Sequence, residues 1–207
     1  MNYCAVMSMP KGAPAAPRRK AQERFQIEQF QRGQPGREDL EAFIAATFRK
    51  TYGADVRNFC DVLLGCRNAH GHWVAALGYT LAIDSPTFLE HYLDAPLERA
   101  LSAKLDSNIV RDDIVEVGNL ASSHAGAARS LIVATTRVLH SLGLRWVAFT
   151  ATVSLLNSFT RLRLQPQVLA IADPARLPDG GRNWGSYYET QPKVMFGDIR
   201  YGYVQLP

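Results

Sequence analysis

Glu116 interrupts the apolar run Ile114-Val115-Glu116-Val117-Gly118-Asn119-Leu120. If that run is a strand, alternation turns the Glu116 side chain away from Val115 and Val117, onto the opposite face of the sheet. A carboxylate so placed is costly unless it is paired or faces a cleft. Burial also raises its pKa toward the range of a base that deprotonates an amine. The competing reading is a structural glutamate held by an ion pair or facing an edge. Directly after it comes Asn119-Leu120-Ala121-Ser122-Ser123-His124-Ala125-Gly126-Ala127-Ala128, a small-residue loop opening the longest helical stretch. Ser122, Ser123, His124, Gly126 and Ala127 would let backbone N–H groups approach a phosphate or pyrophosphate. The spacing matches neither a P-loop nor a dinucleotide fingerprint, and small residues at a helix start are common caps. His124 is either a general base, a phosphate contact or an ordinary cap. Thr150, Trp184, Tyr187 and Tyr188 are the candidate substrate contacts; the last three belong to the aromatic loop Asn183-Trp184-Gly185-Ser186-Tyr187-Tyr188, whose alternative role is packing over the sheet. His70, His72, His91 and His140 have no metal-ligand spacing, so no metal is expected.

The elements that must hold these residues follow from periodicity. Leu40, Phe43, Ile44 and Phe48 form the stripe of an amphipathic helix stopped near Gly53. Cys60–Leu64 and Trp73–Leu77 flank the turn cluster Asn68-Ala69-His70-Gly71 and read as an antiparallel hairpin, prolonged by Gly78-Tyr79-Thr80-Leu81. Ser85-Pro86 reads as an N-cap with proline at the first helical position, ahead of Phe88, Leu89, Tyr92 and Leu93. Pro96 interrupts, and Leu97, Leu101 and Leu105 restart the helix. Ile114–Leu120 is a central strand, Gly126–Leu142 a helix, Arg145–Ala151 a buried strand, and Leu155, Leu156, Phe159 and Leu162 mark a further helix. Val168–Ala172 and Lys193–Val204 complete the strands, giving a mixed α/β (α+β) domain around a strand–helix–strand unit.

The chain has 207 residues, formal charge +4 and 47% hydrophobic composition, which fits one globular domain. The charge is uneven: residues 1–37 balance to +5 and the other 170 to −1. Residues 1–22 read as a disordered basic tail and 23–207 as the domain, so bulk charge predicts no nucleic-acid partner. No run approaches a transmembrane span and Ala21–Arg24 supplies no signal-like apolar stretch; with Cys4, Cys60 and Cys66 unpaired by spacing, the expectation is a reduced, cytoplasmic protein.

Four motifs in order carry a family resemblance: Phe88-Leu89-Glu90-His91-Tyr92-Leu93-Asp94 with Leu97-Glu98; Ile114–Ala121; Phe149-Thr150-Ala151-Thr152; and Trp184-Gly185-Ser186-Tyr187-Tyr188. Together they resemble the thermostable hemolysin family over roughly residues 40–200. The layout is similar to that of the acyl-homoserine-lactone synthases, members of the GNAT-like acyltransferase fold. The resemblance implies a V-shaped split in the sheet where an acyl-pantetheine thioester lies beside an amine, with Gly78–Leu81 and Glu116 at the corresponding places. One departure matters. The lactone synthases follow the glutamate with Ser-Arg-Phe where this chain has Gly118-Asn119-Leu120, and Thr80 stands where an arginine is expected. Two missing cations argue against an S-adenosylmethionine substrate.

The resulting expectation is an N-acyltransferase with no permanently bound cofactor. Glu116 would take the ammonium proton, Asn119 or a nearby backbone N–H would polarise the carbonyl, and the donor would be acyl-CoA or an acyl-phosphopantetheine on an acyl carrier protein. Arg129, Arg137 and Arg161 are the basic groups available to such a carrier, and the acceptor would be a small amine or amino-acid-like molecule. The alternative takes the family name literally, as a membrane-active lytic protein acting without catalysis, although no amphipathic or barrel-forming segment is evident.

Overall fold

The computed structural model describes residues 25–206, so the expected tail at 1–22 lies outside the described residues. Seven strands form one sheet in the order β1-β2-β3-β4-β5-β7-β6. They are β1 (Gln26–Gln31), β2 (Val62–Arg67), β3 (Trp73–Leu81), β4 (Ile114–Ser122), β5 (Trp146–Ala151), β6 (Gln167–Ile171) and β7 (Lys193–Asp198). The helices are α1 (Arg37–Tyr52), α2 (Leu97–Leu105), α3 (Ala125–Ser141), α4 (Val153–Arg161) and α5 (Ile199–Gln205). Among the described residues only β4 and β5 pair in parallel, as expected for strands joined by the crossover helix α3.

Each face of the sheet is covered by helices chosen by the strand alternation. Leu64, Cys66, Ala75, Leu77, Tyr79 and Val115 pack under Ala127, Leu131 and Leu139 of α3. On the other face Leu63, Ala76 and Ala121 meet Leu40 and Ile44 of α1, whose end is set by Gly53 at φ 70. Toward β5 and β7 the same face is covered by Leu89 and Tyr92 of a 3-10 turn (Phe88–Tyr92) and Leu97 and Leu101 of α2, over Ile114, Ala148 and Phe196.

Three local readings differ from expectation. The turn at Phe88 is capped by Thr87, not Ser85: Glu90 Oε2 accepts from Thr87 N at 2.9 Å, three residues on. The stretch 193–204 is a strand only to Asp198, whose carboxylate then accepts from Arg200 N and Tyr201 N and starts α5. The edge strand β1 was not anticipated; it pairs antiparallel with β2 from Gln26↔Arg67 to Gln31↔Val62.

Candidate functional site

β4, the middle strand of seven, changes character halfway along. Ile114 to Val117 pair with Trp146 to Phe149 of β5, and the pairing stops there although both strands continue. Against β3 the register jumps between Ala76↔Ala121 and Gly78↔Gly118, so β4 carries one extra residue. Asn119 sits in that bulge at φ 55, a left-handed conformation that asparagine tolerates better than most residues. Its amide bridges to the neighbouring segment: Oδ1 accepts from Cys60 N at 2.9 Å and Nδ2 donates to Asn58 O at 3.2 Å. The Asn119 side chain therefore pins segment 58–60 across the bulge.

Beyond the last paired residues the strands leave a cavity of about 460 Å³. Gly118, Ala121, Ser122, Thr150 and Thr152 form its throat. On the α3 side it is walled by Leu120, Ile132, Leu139, Phe149, Leu155 and Phe159, and on the α1 side by Phe48, Tyr52, Trp184 and Tyr187. Of the expected contacts, Ser122 and His124 line it, while Ser123 Oγ donates to Val74 O, Ala127 is buried in the core and Gly126 lies beside the His124 ring. His124 caps α3, its Nδ1 accepting from Ala127 N at 3.2 Å. Thr150, Trp184 and Tyr187 also line the cavity, and Tyr187 Oη donates to Thr150 Oγ1 at 3.3 Å. Tyr188 does not; its hydroxyl meets that of Tyr92.

Glu116 lies one pleat before Gly118 on the same sheet face, roughly 7 Å along the strand. It is 6% exposed. Its Oε2 accepts from Phe88 N at 2.7 Å, the Leu89 N–H adds a second bond, and no cation pairs with it among the described residues. Burial pushes its pKa up to about 7, against the two N–H groups that pull it down; the charges of Glu90 and Asp61 raise it further. The Cys60 thiol stands over Gly118 and is pushed up to about 12 by burial and by Glu116.

The donors to Glu116 are themselves held in place. Arg111 Nη1 donates to Glu90 Oε1 at 2.6 Å and Glu98 Oε2 at 2.7 Å, and its Nε donates to Ala82 O at 2.6 Å. Glu90 in turn accepts from Leu97 N at 2.9 Å. Burial raises the Glu90 carboxyl, but Arg111 and the N–H groups of Leu97 and Thr87 outweigh it and hold it below its ordinary range. The first sequence motif is thus the mount of the buried glutamate. Arg111 and Tyr52 were not singled out from sequence, and Phe48 looked like a plain member of a helix stripe. The wall that Phe48 and Tyr52 form depends on contacts far apart in the chain: Ser186 N donates to Tyr52 O at 2.8 Å, and Asp55 N to Asn183 O at 2.7 Å.

Among the described residues there is no cluster of metal-binding side chains, and no helix is long and apolar enough to cross a membrane. No curated protein matches the chain in sequence. Solved structures do match in fold. The acyl-homoserine-lactone synthase LasI aligns with a TM-score of 0.58 at 12% identity over 86% of this chain and 91% of that one. FeeM, an N-acyl amino acid synthase from uncultured soil microbes, aligns at 0.54 and 12% over 89% and 95%. The CoA-dependent acyl-homoserine-lactone synthase BjaI, solved with SAM and isopentyl-CoA, aligns at 0.55 and 14% over 87% and 86%. These similarities establish the GNAT-like acyltransferase fold that the layout of motifs implied. The family model for the thermostable hemolysins matches residues 30–203, and the chain belongs to that family.

Proposed function

We propose that the chain is an N-acyltransferase that moves an acyl group from an acyl-CoA or acyl-carrier thioester to a small amine. The observation that carries this reading is the sequence of features along β4: a buried glutamate with raised pKa, then a bulge, then a gap between parallel strands opening on a cavity. The pantetheine arm would lie in the gap, where β4 and β5 leave backbone groups unpaired to bond it. The ammonium of the acceptor gives one proton to Glu116, directly or through water, and the freed amine attacks the thioester carbonyl. Backbone N–H groups at the bulge hold the developing oxyanion. The C–N bond forms, the C–S bond breaks, the second amine proton goes to the departing thiolate, and Glu116 passes the first proton to solvent. The products are an amide and a free thiol.

The acyl chain would occupy the apolar side under α3 and α4. An apolar cavity of about 150 Å³ holds benzene, or roughly 25 Å³ per carbon. On that scale 460 Å³ takes roughly eighteen non-hydrogen atoms, which leaves room beside the pantetheine end for a chain on the order of ten carbons. FeeM and BjaI, which share the fold, are by name an N-acyl amino acid synthase and a CoA-dependent synthase, which supports the reaction class.

The test is thiol release from purified protein given CoA and carrier thioesters from acetyl to hexadecanoyl with a panel of amines, and mass detection of the amide. Turnover that peaks at intermediate chain length and is lost in Glu116→Gln is expected. No release with any donor, or full activity in Glu116→Ala, would remove the assignment, and leakage of liposomes by protein alone would favour direct lysis instead.

A further inference from the structure

The face of the sheet that carries Glu116 also carries an aromatic wall, and together they describe the acceptor. Phe48 and Tyr52 of α1 meet Trp184 and Tyr187 of the loop: Tyr52 and Tyr187 rings are 5.2 Å apart at 88°, Trp184 and Tyr187 5.3 Å, Phe48 and Trp184 6.3 Å. All four border the cavity on the side of Thr150. The wall joins the base through Phe88, whose N–H holds Glu116 and whose ring is 5.8 Å from Trp184. Ring faces beside a carboxylate are a site for an organic cation.

The charges nearby complete the picture. None of the described residues bordering the cavity is a lysine or arginine. Among the described residues four guanidinium groups around this face are held by carboxylates, and Arg182 in the loop before Trp184 turns its Nε to Asp179 O. Arg32 is held by Asp61, Arg37 by Glu41 and three backbone carbonyls, Arg57 by Asp55, and Arg111 by Glu90 and Glu98. Among the described residues the groups nearest Glu116 are acidic or neutral: Asp61 and Glu90 behind it, each paired with an arginine, and the hydroxyl and thiol of Tyr92 and Cys60. A carboxylate on the acceptor would enter this site with no cation to pair it and with like charge beside it, both unfavourable.

We infer that the acceptor is an amine bearing no carboxylate next to its amino group, a decarboxylated aryl- or alkylamine, and that the product is an uncharged fatty amide and not an N-acyl amino acid. The inference rests on the acyl-transfer reading and narrows it. A site of this composition should prefer the amine to the matching amino acid by roughly a hundredfold in kcat/KM.

The test uses the full-length chain, one saturating acyl donor and matched acceptors: phenethylamine with phenylalanine, tyramine with tyrosine, agmatine with arginine. Phenylalaninamide keeps the bulk of the amino acid and removes its charge. Expected are the hundredfold preference for each amine and substantial recovery with the amide. Trp184→Leu is expected to raise KM for phenethylamine while the donor KM stays within twofold. Equal or better use of the amino acids overturns the inference while leaving acyl transfer standing. Amines and amino acids both refused, with no thiol released, would remove the acyl-transfer reading and this inference with it. An amide used as poorly as its amino acid also overturns it, because bulk and not charge would then be what the site rejects.

Discussion

Glu116 offers a prediction in which stability and activity test the same placement. The carboxyl moves from an ordinary value near 4.5 to about 7 on folding, chiefly through burial. Below pH 4.5 it is protonated in both states and contributes no difference. As pH rises toward 7 the unfolded chain releases the proton while the folded chain keeps it, so stability falls across this window and levels off above it. The full penalty is about 3 kcal/mol, of which about 2–3 kcal/mol develops between pH 5 and pH 8. Glu116→Gln removes the titration and retains an oxygen to accept from Phe88 and Leu89. Whatever the variant costs at pH 5 through its new amide N–H, it should gain about 2–3 kcal/mol on the wild type by pH 8. For a domain of this size that is a relative rise in Tm of roughly 5–10 °C. Thermal or urea unfolding of both proteins in the two buffers reads this directly. In activity, wild-type kcat/KM should climb through a pKa near 7 as the base ionises, and the variant should lose that limb and about 10²–10⁴ of the rate. A gap between the two proteins that stays constant from pH 5 to pH 8 would refute the reasoning, because the carboxyl would then titrate alike in folded and unfolded chains.

Three further outcomes check the supporting parts. Glu90→Gln removes a negative charge that raises Glu116, so the base limb should shift to lower pH, and loss of the Arg111 pair should lower stability by about 2–3 kcal/mol; a limb that does not move would mean Glu90 acts only as a strut. Gly185 has φ +51 and lies so close to α1 that an added Cβ would collide with the Tyr52 carbonyl, so Gly185→Ala should cost about 1–3 kcal/mol and raise acceptor KM above donor KM; an unchanged acceptor KM would disconnect the loop from the acceptor. With its thiol pushed up to about 12, Cys60 should resist alkylation in the native protein at pH 8 and react on unfolding, followed by peptide mass mapping; native labelling at the rate of a free thiol would contradict its enclosure.

The parts legible in the sequence are those whose cause is local. The stripe Leu40, Phe43, Ile44, Phe48 is α1, and a carboxylate within a β-branched run is a carboxylate on a central strand. β1 escaped because Gln-Ile-Glu-Gln-Phe-Gln has only two apolar residues; an edge strand needs one neighbour, and β2 supplies it. α5 looked like strand because Tyr201, Tyr203 and Val204 favour strands, and the Asp198 cap together with contact on α3 overrides them. The α1 half of the aromatic wall, Phe48 and Tyr52, escaped for a different reason. Tyr52 and Ser186 are 134 positions apart, and no spacing rule joins a helix end to a loop that distant.

The placement of Glu116 just before the bulge follows from what the proposed reaction would ask of each. A carboxylate stays dry and fixed only where the sheet is intact on both sides, and Glu116 has Thr80 and Ala148 paired beside it. In the proposed reaction a thioester would enter where a ladder is missing, and β4 and β5 part after Val117 and Phe149. One strand meets both demands if the interruption begins immediately beyond the carboxylate. Asn119 makes the bulge against β3 that follows, since its left-handed backbone adds the extra residue and its amide ties segment 58–60 over it. Gly118 and Gly78, which pair across the strands there, leave just enough depth for the Cys60 side chain that segment carries. The raised pKa and the open cleft are therefore two consequences of where along β4 the ladder to β5 ends.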